Sequence, residues 1–252
     1  MKAQTEKNLK IYNEFPELKK IPENKFPNHV LIIPDGNGRW AKQLHKIPAF
    51  GHKKGFLVIQ KAIRKLQDLP INTITIWAFS ADNWKRDKNE IEALMQIFDA
   101  GIKEATKDFY EKRVRFICLG RRDRIPKFLR KTIEKIELET KEFGPKIFCV
   151  AIDFSGQDQE IRMIEKVQKL SKNTKIDLKL IEKLRDSEGI VKPADLIIRT
   201  SGEQRTSDLG WLSQNSEFYS IIKLLPETRT IDFVESLVDY SKRERRFGAR
   251  IK

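Results

Sequence analysis

Apolar residues follow two different periods along this chain, and the periods alternate. His29-Val-Leu-Ile-Ile33 is a short unbroken apolar run, and residues 72–79 are β-branched and aromatic, so both predict strands. A helical stretch is predicted between them, from about Gly55 to Leu66. Further on, Ile91, Leu94, Met95 and Phe98 recur at i, i+3, i+4 and i+7. They predict a helix with Asp87 as its N-cap and Glu90 closing a capping box. The same reading predicts strands over 114–119, 147–152 and 194–199, and a candidate strand over 218–224. It predicts helices over 126–143, 161–170 and 231–245. Strands alternating with helices imply right-handed crossovers and parallel pairing. The expectation is an α/β fold: a single domain with a mostly parallel central sheet of about six strands flanked by helices. Residues 1–26 are rich in Lys, Glu and Asn with weak periodicity, and read as a polar lead-in with one short helix before a folded domain over 27–252.

Composition narrows the partners. Of 252 residues, 39% are apolar, enough for a sizeable core, and the net charge is +14. Such an excess attracts nucleic acid, anionic membrane surfaces or phosphorylated small molecules, and a merely lysine-rich surface is an equally good account of it. Cys118 and Cys149 sit inside apolar runs and show neither metal-ligand spacing nor a disulfide framework, so buried reduced thiols and a cytoplasmic location are expected. Residues 1–26 hold no apolar h-region, and the longest uncharged stretch, Leu69 to Ala81, is too short for a membrane span. Any membrane association is expected to be peripheral.

In open parallel sheets ligands bind beyond the carboxyl ends of the strands, and polar segments follow the predicted strands there. Pro34-Asp-Gly-Asn-Gly-Arg-Trp40 follows the first strand, with a carboxylate (Asp35), a phosphate-matching fork (Arg39) and two glycines that allow a tight turn. Its spacing fits neither a Walker A loop nor a dinucleotide fingerprint. Phe50-Gly-His-Lys-Lys-Gly55 places His52, Lys53 and Lys54 near a helix start, where an anion can bind. Phe79-Ser-Ala-Asp-Asn-Trp-Lys-Arg86 follows the second strand, and Arg199 to Ser207 follows a later one. Arg199, Arg205 and Ser207 around a glycine make a diphosphate clamp. Arg243-Glu-Arg-Arg-Phe-Gly248 reads as a solvated face or a basic helix end. Each segment also has an ordinary reading as a turn or cap. Together they fit the binding of two phosphorylated groups with a divalent metal.

These five ordered motifs closely resemble those of the cis-prenyltransferases, the family of undecaprenyl and dehydrodolichyl diphosphate synthases. The resemblance runs from about residue 26 to the tail. It implies an undecaprenyl diphosphate synthase-like fold, usually a homodimer, and Mg²⁺-dependent condensation of isopentenyl diphosphate with an allylic prenyl diphosphate to a Z-polyprenyl diphosphate. The alternative is a relative making irregular or cyclised products, or using another acceptor. A nucleic-acid role is not expected, because no stacking platform is visible. By position, Asp35 resembles the catalytic aspartate and metal ligand, and Glu217 the second metal ligand, given from the neighbouring subunit's side. Gly36, Asn37, Gly38 and Arg39 resemble the cradle of the allylic diphosphate, assisted by His52. Ser80 and Asn83 resemble the pair beside the reacting carbons, with Asn83 an orienting group. Arg199, Arg205 and Ser207 resemble the isopentenyl diphosphate clamp. Trp40, Ala81, Asp82, Trp84, Arg86 and Thr206 are carried over as further substrate contacts. Departures include Pro48 where an Arg is usual, Asp153-Phe-Ser-Gly-Gln157 for Asn-Tyr-Gly-Gly-Arg, and Gln204 for a His. They touch pocket shape more than phosphate chemistry. Three finer expectations follow: Asp35 on a solvent-open loop, two diphosphate sites on distinct loops, and Ile152 either limiting product length from the tunnel wall or serving as an ordinary core isoleucine.

Overall fold

The computed structural model describes residues 10–248. Six strands form one sheet: β1 (His29–Ile33), β2 (Thr73–Ser80), β3 (Arg115–Leu119), β4 (Ile147–Phe154), β5 (Leu196–Thr200) and β6 (Glu217–Ile221). Their spatial order is β3-β4-β2-β1-β5-β6, and every pair is parallel. The single-domain α/β expectation therefore holds. Every residue of β1 is buried, which explains its unbroken apolar run: a central parallel strand is covered on both faces. Val30 and Ile32 pack toward one face, Leu31 and Ile33 toward the other.

The helices are α1 (Asn37–Gln43), α2 (Pro48–Leu66), α3 (Lys88–Lys112), α4 (Lys127–Glu139), α5 (Gly156–Gln168), α6 (Leu178–Leu184) and α7 (Thr230–Ser241). Two begin earlier than the apolar periodicity predicts. α2 starts at Pro48, whose fixed φ and missing N–H suit a first helical position. α5 starts at Gly156 behind a Ser155 cap. Asp87 caps α3 through the N–H groups of Asn89 and Glu90, but Glu90 is turned inward and closes no capping box. α7 stops at Ser241, four residues before the predicted end.

The first turns of α2 owe their glycines to packing. A Cβ on Gly51 would stand 2.1 Å from the Asn37 carbonyl oxygen, and one on Gly55 would stand 2.0 Å from Asn37 Oδ1. α1 and α2 thus meet backbone to backbone. In the described part of the polar lead-in, Ile11, Phe15, Leu18 and Ile21 enter the core beside α2 and α7. Their spacing of three and four is helical, but the charged residues between them mask it. Both cysteines are free and buried, and burial pushes the Cys118 thiol up to about 12.

Candidate active site

The chain leaves β1 toward β2 on one side of the sheet and β5 toward β6 on the other. Their carboxyl ends flank the topological switch point, where such sheets open a crevice. Asp35 follows β1 and Arg199 lies near the end of β5. Arg199 Nη2 donates to Asp35 Oδ2 at 2.9 Å, and Nη1 donates to the Arg205 carbonyl (2.7 Å) and to Ser207 Oγ (3.0 Å). The Arg199 side chain is 7% exposed and that of Asp35 31%. Asp35 is therefore half-buried and ion-paired, which corrects the solvent-open loop read from its glycines. The backbone fixes it further. Its N–H donates to Thr200 Oγ1 (2.8 Å), its carbonyl accepts from the same hydroxyl (2.7 Å), and its Oδ1 accepts from the Gly36 N–H (2.7 Å). Gly36 has φ 100°, the left-handed region, and a Cβ there would press on Leu224 and Ser201. Burial opposes ionisation of Asp35. The Arg199 hydrogen bond and charge, the Gly36 N–H and Arg39 outweigh it and hold the carboxyl below its usual range.

A second cation layer lies outside this pair. Arg39 reaches Asp35 (3.3 Å) and Glu203 (3.1 Å), and Glu203 also pairs with Arg205. Ion pairs thus join the loops after β1 and β5 into one charged cluster. Arg199 and Arg205 also differ in kind: Arg199 is buried and organises the cluster, while Arg205 is exposed. Across the crevice, Ser80 and Asn83 cap one another: the Asn83 N–H donates to the Ser80 side chain, and the Ser80 N–H donates to Asn83 Oδ1 (3.1 Å). His52 Nε2 donates to Glu90 Oε1 at 3.0 Å, and Arg86 reaches the same carboxylate at 3.2 Å. Burial lowers the His52 pKa, Glu90 opposes this, Arg86 reinforces it, and the net shift is downward.

All of this stands at the mouth of a cavity of about 570 Å³ between α2, α3 and the sheet. Asp35, Gly36, Asn37, Gly38, Arg39, His52, Ser80, Ala81, Asp82, Asn83, Arg86, Arg199 and Ser207 line it. Deeper in, apolar side chains dominate the wall, among them Phe56, Ile63, Leu94, Phe98, Ala105, Phe109, Phe148 and Val150, with Gln60, Arg64, Gln67 and Asp108 also lining it. From Glu90 to Phe109 the wall follows α3 for about 28 Å at 1.5 Å per residue.

Residues 33–248 match the family model for undecaprenyl diphosphate synthases. The chain belongs to this family of cis-prenyltransferases. It is 36% identical over 225 residues to the isoprenyl transferase of Aquifex aeolicus, covering 89% of this chain and 96% of that protein. It is 38% identical over 251 residues to a tritrans,polycis-undecaprenyl-diphosphate synthase (geranylgeranyl-diphosphate specific) of Methanocaldococcus jannaschii, covering 95% and 89%. Among solved structures it resembles lavandulyl diphosphate synthase from Lavandula x intermedia in complex with dimethylallyl diphosphate. There the TM-score is 0.82 and the identity 30%, over 89% of this chain and 99% of that one. The enzyme is a transferase of isoprenoid biosynthesis.

Several motif residues of this prenyltransferase lie elsewhere than expected. Trp40, Trp84, Arg205, Thr206 and Glu217 are not in the cavity wall. Trp40 stacks on Phe50 with centroids 5.7 Å apart, and Trp84 meets Phe79 edge-on at 5.1 Å. Asn37 lines the cavity but directs its side-chain amide at the Pro34 carbonyl (3.2 Å), and its Oδ1 is buried against Gly55. Glu217 stands apart from Asp35 within the chain. It begins β6, level with Leu196, whereas Ser220 is level with Arg199. Parallel pairing puts it about 10 Å along the sheet from the Asp35 end, where Arg243 Nη1 donates to it at 3.0 Å. Within one chain it does not join Asp35. Arg243 and Arg245 are likewise no solvated face, because Arg245 pairs with Asp195.

For Ile152 the structure favours the ordinary core reading. A bulge in β2 at Ala78 sets Ile152 opposite Phe79, and both are fully buried in the α3–α4 cluster. Val150 and Phe148 form the wall instead. Glu90 was read only as a cap, and Glu203, Ser155 and Asp208 were given no role from sequence. Their only signal was position within or beside the motifs. Asp208 accepts from Ser155 Oγ and from the Gln157 N–H (3.3 Å), joining the Asp153–Gln157 departure to the Ser207 loop.

Proposed function

We propose that this cavity condenses isopentenyl diphosphate with an allylic prenyl diphosphate, giving a Z-polyprenyl diphosphate. The observation that carries the reading is a rigid carboxylate–arginine cluster at the mouth of a deep apolar cavity. A diphosphate head needs the cluster, and a growing hydrocarbon needs the cavity. A cavity wall that follows α3 for about 28 Å favours chain elongation over short irregular products.

Mg²⁺ fits the residues present. Mg²⁺ is typically bound by one or two carboxylates together with substrate phosphates. Among the described residues no group of three or more His, Cys, Asp or Glu forms an all-protein cage, while ionised Asp35 faces the cavity. Asp35 would hold the ion, which supplies charge neutralisation for the departing diphosphate.

The chain's own groups do the rest. Arg39, and the N–H groups of Asn37, Gly38 and Arg39 in the first turn of α1, receive the allylic diphosphate, since first-turn N–H groups lack intrahelical acceptors. Arg205 and Ser207 receive isopentenyl diphosphate. The C–O bond of the allylic substrate breaks, the alkene of the second substrate attacks the freed carbon, and a proton leaves C2. The depressed pKa of Asp35 makes it a weak base, so the proton passes to a diphosphate oxygen, with Asn83 orienting the substrate. The apolar wall excludes water from the allylic cation.

A homodimer completes the reading. Glu217 lies on the edge strand, part-exposed and away from Asp35, so it can serve a metal site only across an interface between copies. The decisive test supplies labelled isopentenyl diphosphate, primers of several lengths and Mg²⁺, then sizes and stereochemically assigns the dephosphorylated products. Branched or cyclised products, or no product without another acceptor, would overturn it.

A further inference from the structure

Residues 36–67 carry no Asp or Glu, against eight Lys and Arg: Arg39, Lys42, Lys46, Lys53, Lys54, Lys61, Arg64 and Lys65. Arg39, Arg64 and Lys65 have carboxylate partners from elsewhere. Among the described residues the other five lysines have none, and all five are exposed. The same stretch exposes Leu44 (47%), Ile47 (71%), Phe50 (46%) and Leu57 (51%). On α2 these groups share one stripe. Phe50, Lys53, Lys54, Leu57 and Lys61 recur at helical spacing, opposite the buried face of Gly51, Gly55, Ile59, Ala62 and Leu66. The stripe begins beside the cavity mouth, since Arg39 and His52 belong to the cavity wall.

We propose that this stripe is where the protein docks on an anionic lipid bilayer. Apolar side chains ringed by unpaired lysines form the amphipathic surface that lies at a headgroup boundary, and each lysine adds attraction to anionic lipid. Charge complementarity selects this occupant over a second copy of the chain. A two-fold interface is isologous, so it would press this all-basic stretch against itself. Docking here turns the cavity mouth toward the membrane, so a polyprenyl product with a long apolar tail passes into lipid without crossing water.

The test is co-sedimentation of the full chain with vesicles of phosphatidylglycerol and phosphatidylcholine, or of phosphatidylcholine alone. Binding to the anionic vesicles only is expected. The double variant Lys42→Glu/Lys46→Glu should lower the partition coefficient on the order of a hundredfold. Ile47→Asp/Leu57→Asp should also release the protein, with melting temperatures unchanged. Should either variant misfold, hydrogen exchange on the unaltered chain decides: vesicles should protect residues 42–61. Equal binding to neutral vesicles, variants that bind like the wild type, or protection confined to other segments would overturn the proposal. So would preferential capture of single-stranded RNA by the stripe, or dissociation of a dimer by the charge-reversal variant.

Discussion

Arg199 and Asp35, 164 positions apart in sequence, share a 2.9 Å hydrogen-bonded ion pair at the switch point of the sheet. The pair is reciprocal. Arg199 is buried and Asp35 neutralises it, while Arg199 keeps Asp35 ionised despite its burial.

Asp35→Ala should lower turnover by about 10²–10³-fold, the usual cost of removing a principal electrostatic stabiliser. It should also destabilise the fold by roughly 1–3 kcal/mol, because Arg199 is left buried without its anion. Single-turnover kinetics at saturating Mg²⁺ and denaturant melts check both. Retention of a tenth of the activity would remove Asp35 from the chemistry.

The acid limb of activity should report the same pair. Asp35 titrates below the ordinary carboxylate range because Arg199 outweighs desolvation. With Arg199→Gln desolvation loses its main opponent, so the Asp35 pKa should rise and the acid limb should move to higher pH. A pH–kcat profile identical to wild type would show that Asp35 does not set that limb.

Glu90 joins His52 of α2 to Arg86 before α3 through one carboxylate. Glu90→Gln should cost roughly ten- to hundredfold in kcat/KM, the equivalent of charge-assisted hydrogen bonds worth about 1.5–3 kcal/mol. Losing this anion should lower the His52 pKa further, because the Glu90 charge supports the imidazolium. NMR titration of His52 distinguishes that effect from a general loss of folding.

Product length should answer to the wall and not to Ile152. Ile152→Ala removes core volume beside Phe79 and should cost about 2–5 kcal/mol in stability while leaving product length unchanged. Ala105→Leu adds bulk directly to the cavity wall and should shorten the products. Chromatography of dephosphorylated products decides; longer chains from Ile152→Ala would return that residue to the tunnel.

His29 should make stability pH-dependent. Its ring is buried, donating from Nδ1 to the Lys192 carbonyl (2.8 Å) and accepting at Nε2 from Thr75 Oγ1 (2.7 Å), and burial lowers its pKa to about 4. The unfolded chain binds a proton near pH 6.5, which the native state refuses until about pH 4. Stability should therefore fall with decreasing pH between these values, by about 3 kcal/mol in all. Denaturant melts of wild type and His29→Gln across this window should differ in slope. Parallel curves would assign the acid sensitivity to other groups.

Local regularity fixed much of this protein. Apolar period and strand-end placement determined the six-stranded α/β fold, and motif residues such as Asp35, Arg39 and Arg199 became legible through the ordered motifs and the family those motifs resemble. The tertiary structure decided which of them meet. Parallel register sent Glu217 to the far end of β6, although its motif lies only ten residues after Ser207. Ile152 shares its face of β4 with Phe148 and Val150, yet it is fully buried beneath α3 and α4, and how far the cavity runs along that face is set by helices that a local pattern does not place. Gly51 and Gly55 look like a phosphate loop in one dimension and serve a helix crossing in three. Glu90 reads as a cap until α2 brings His52 beside it. Each of these outcomes depends on pairings between residues distant along the chain, which no local pattern encodes.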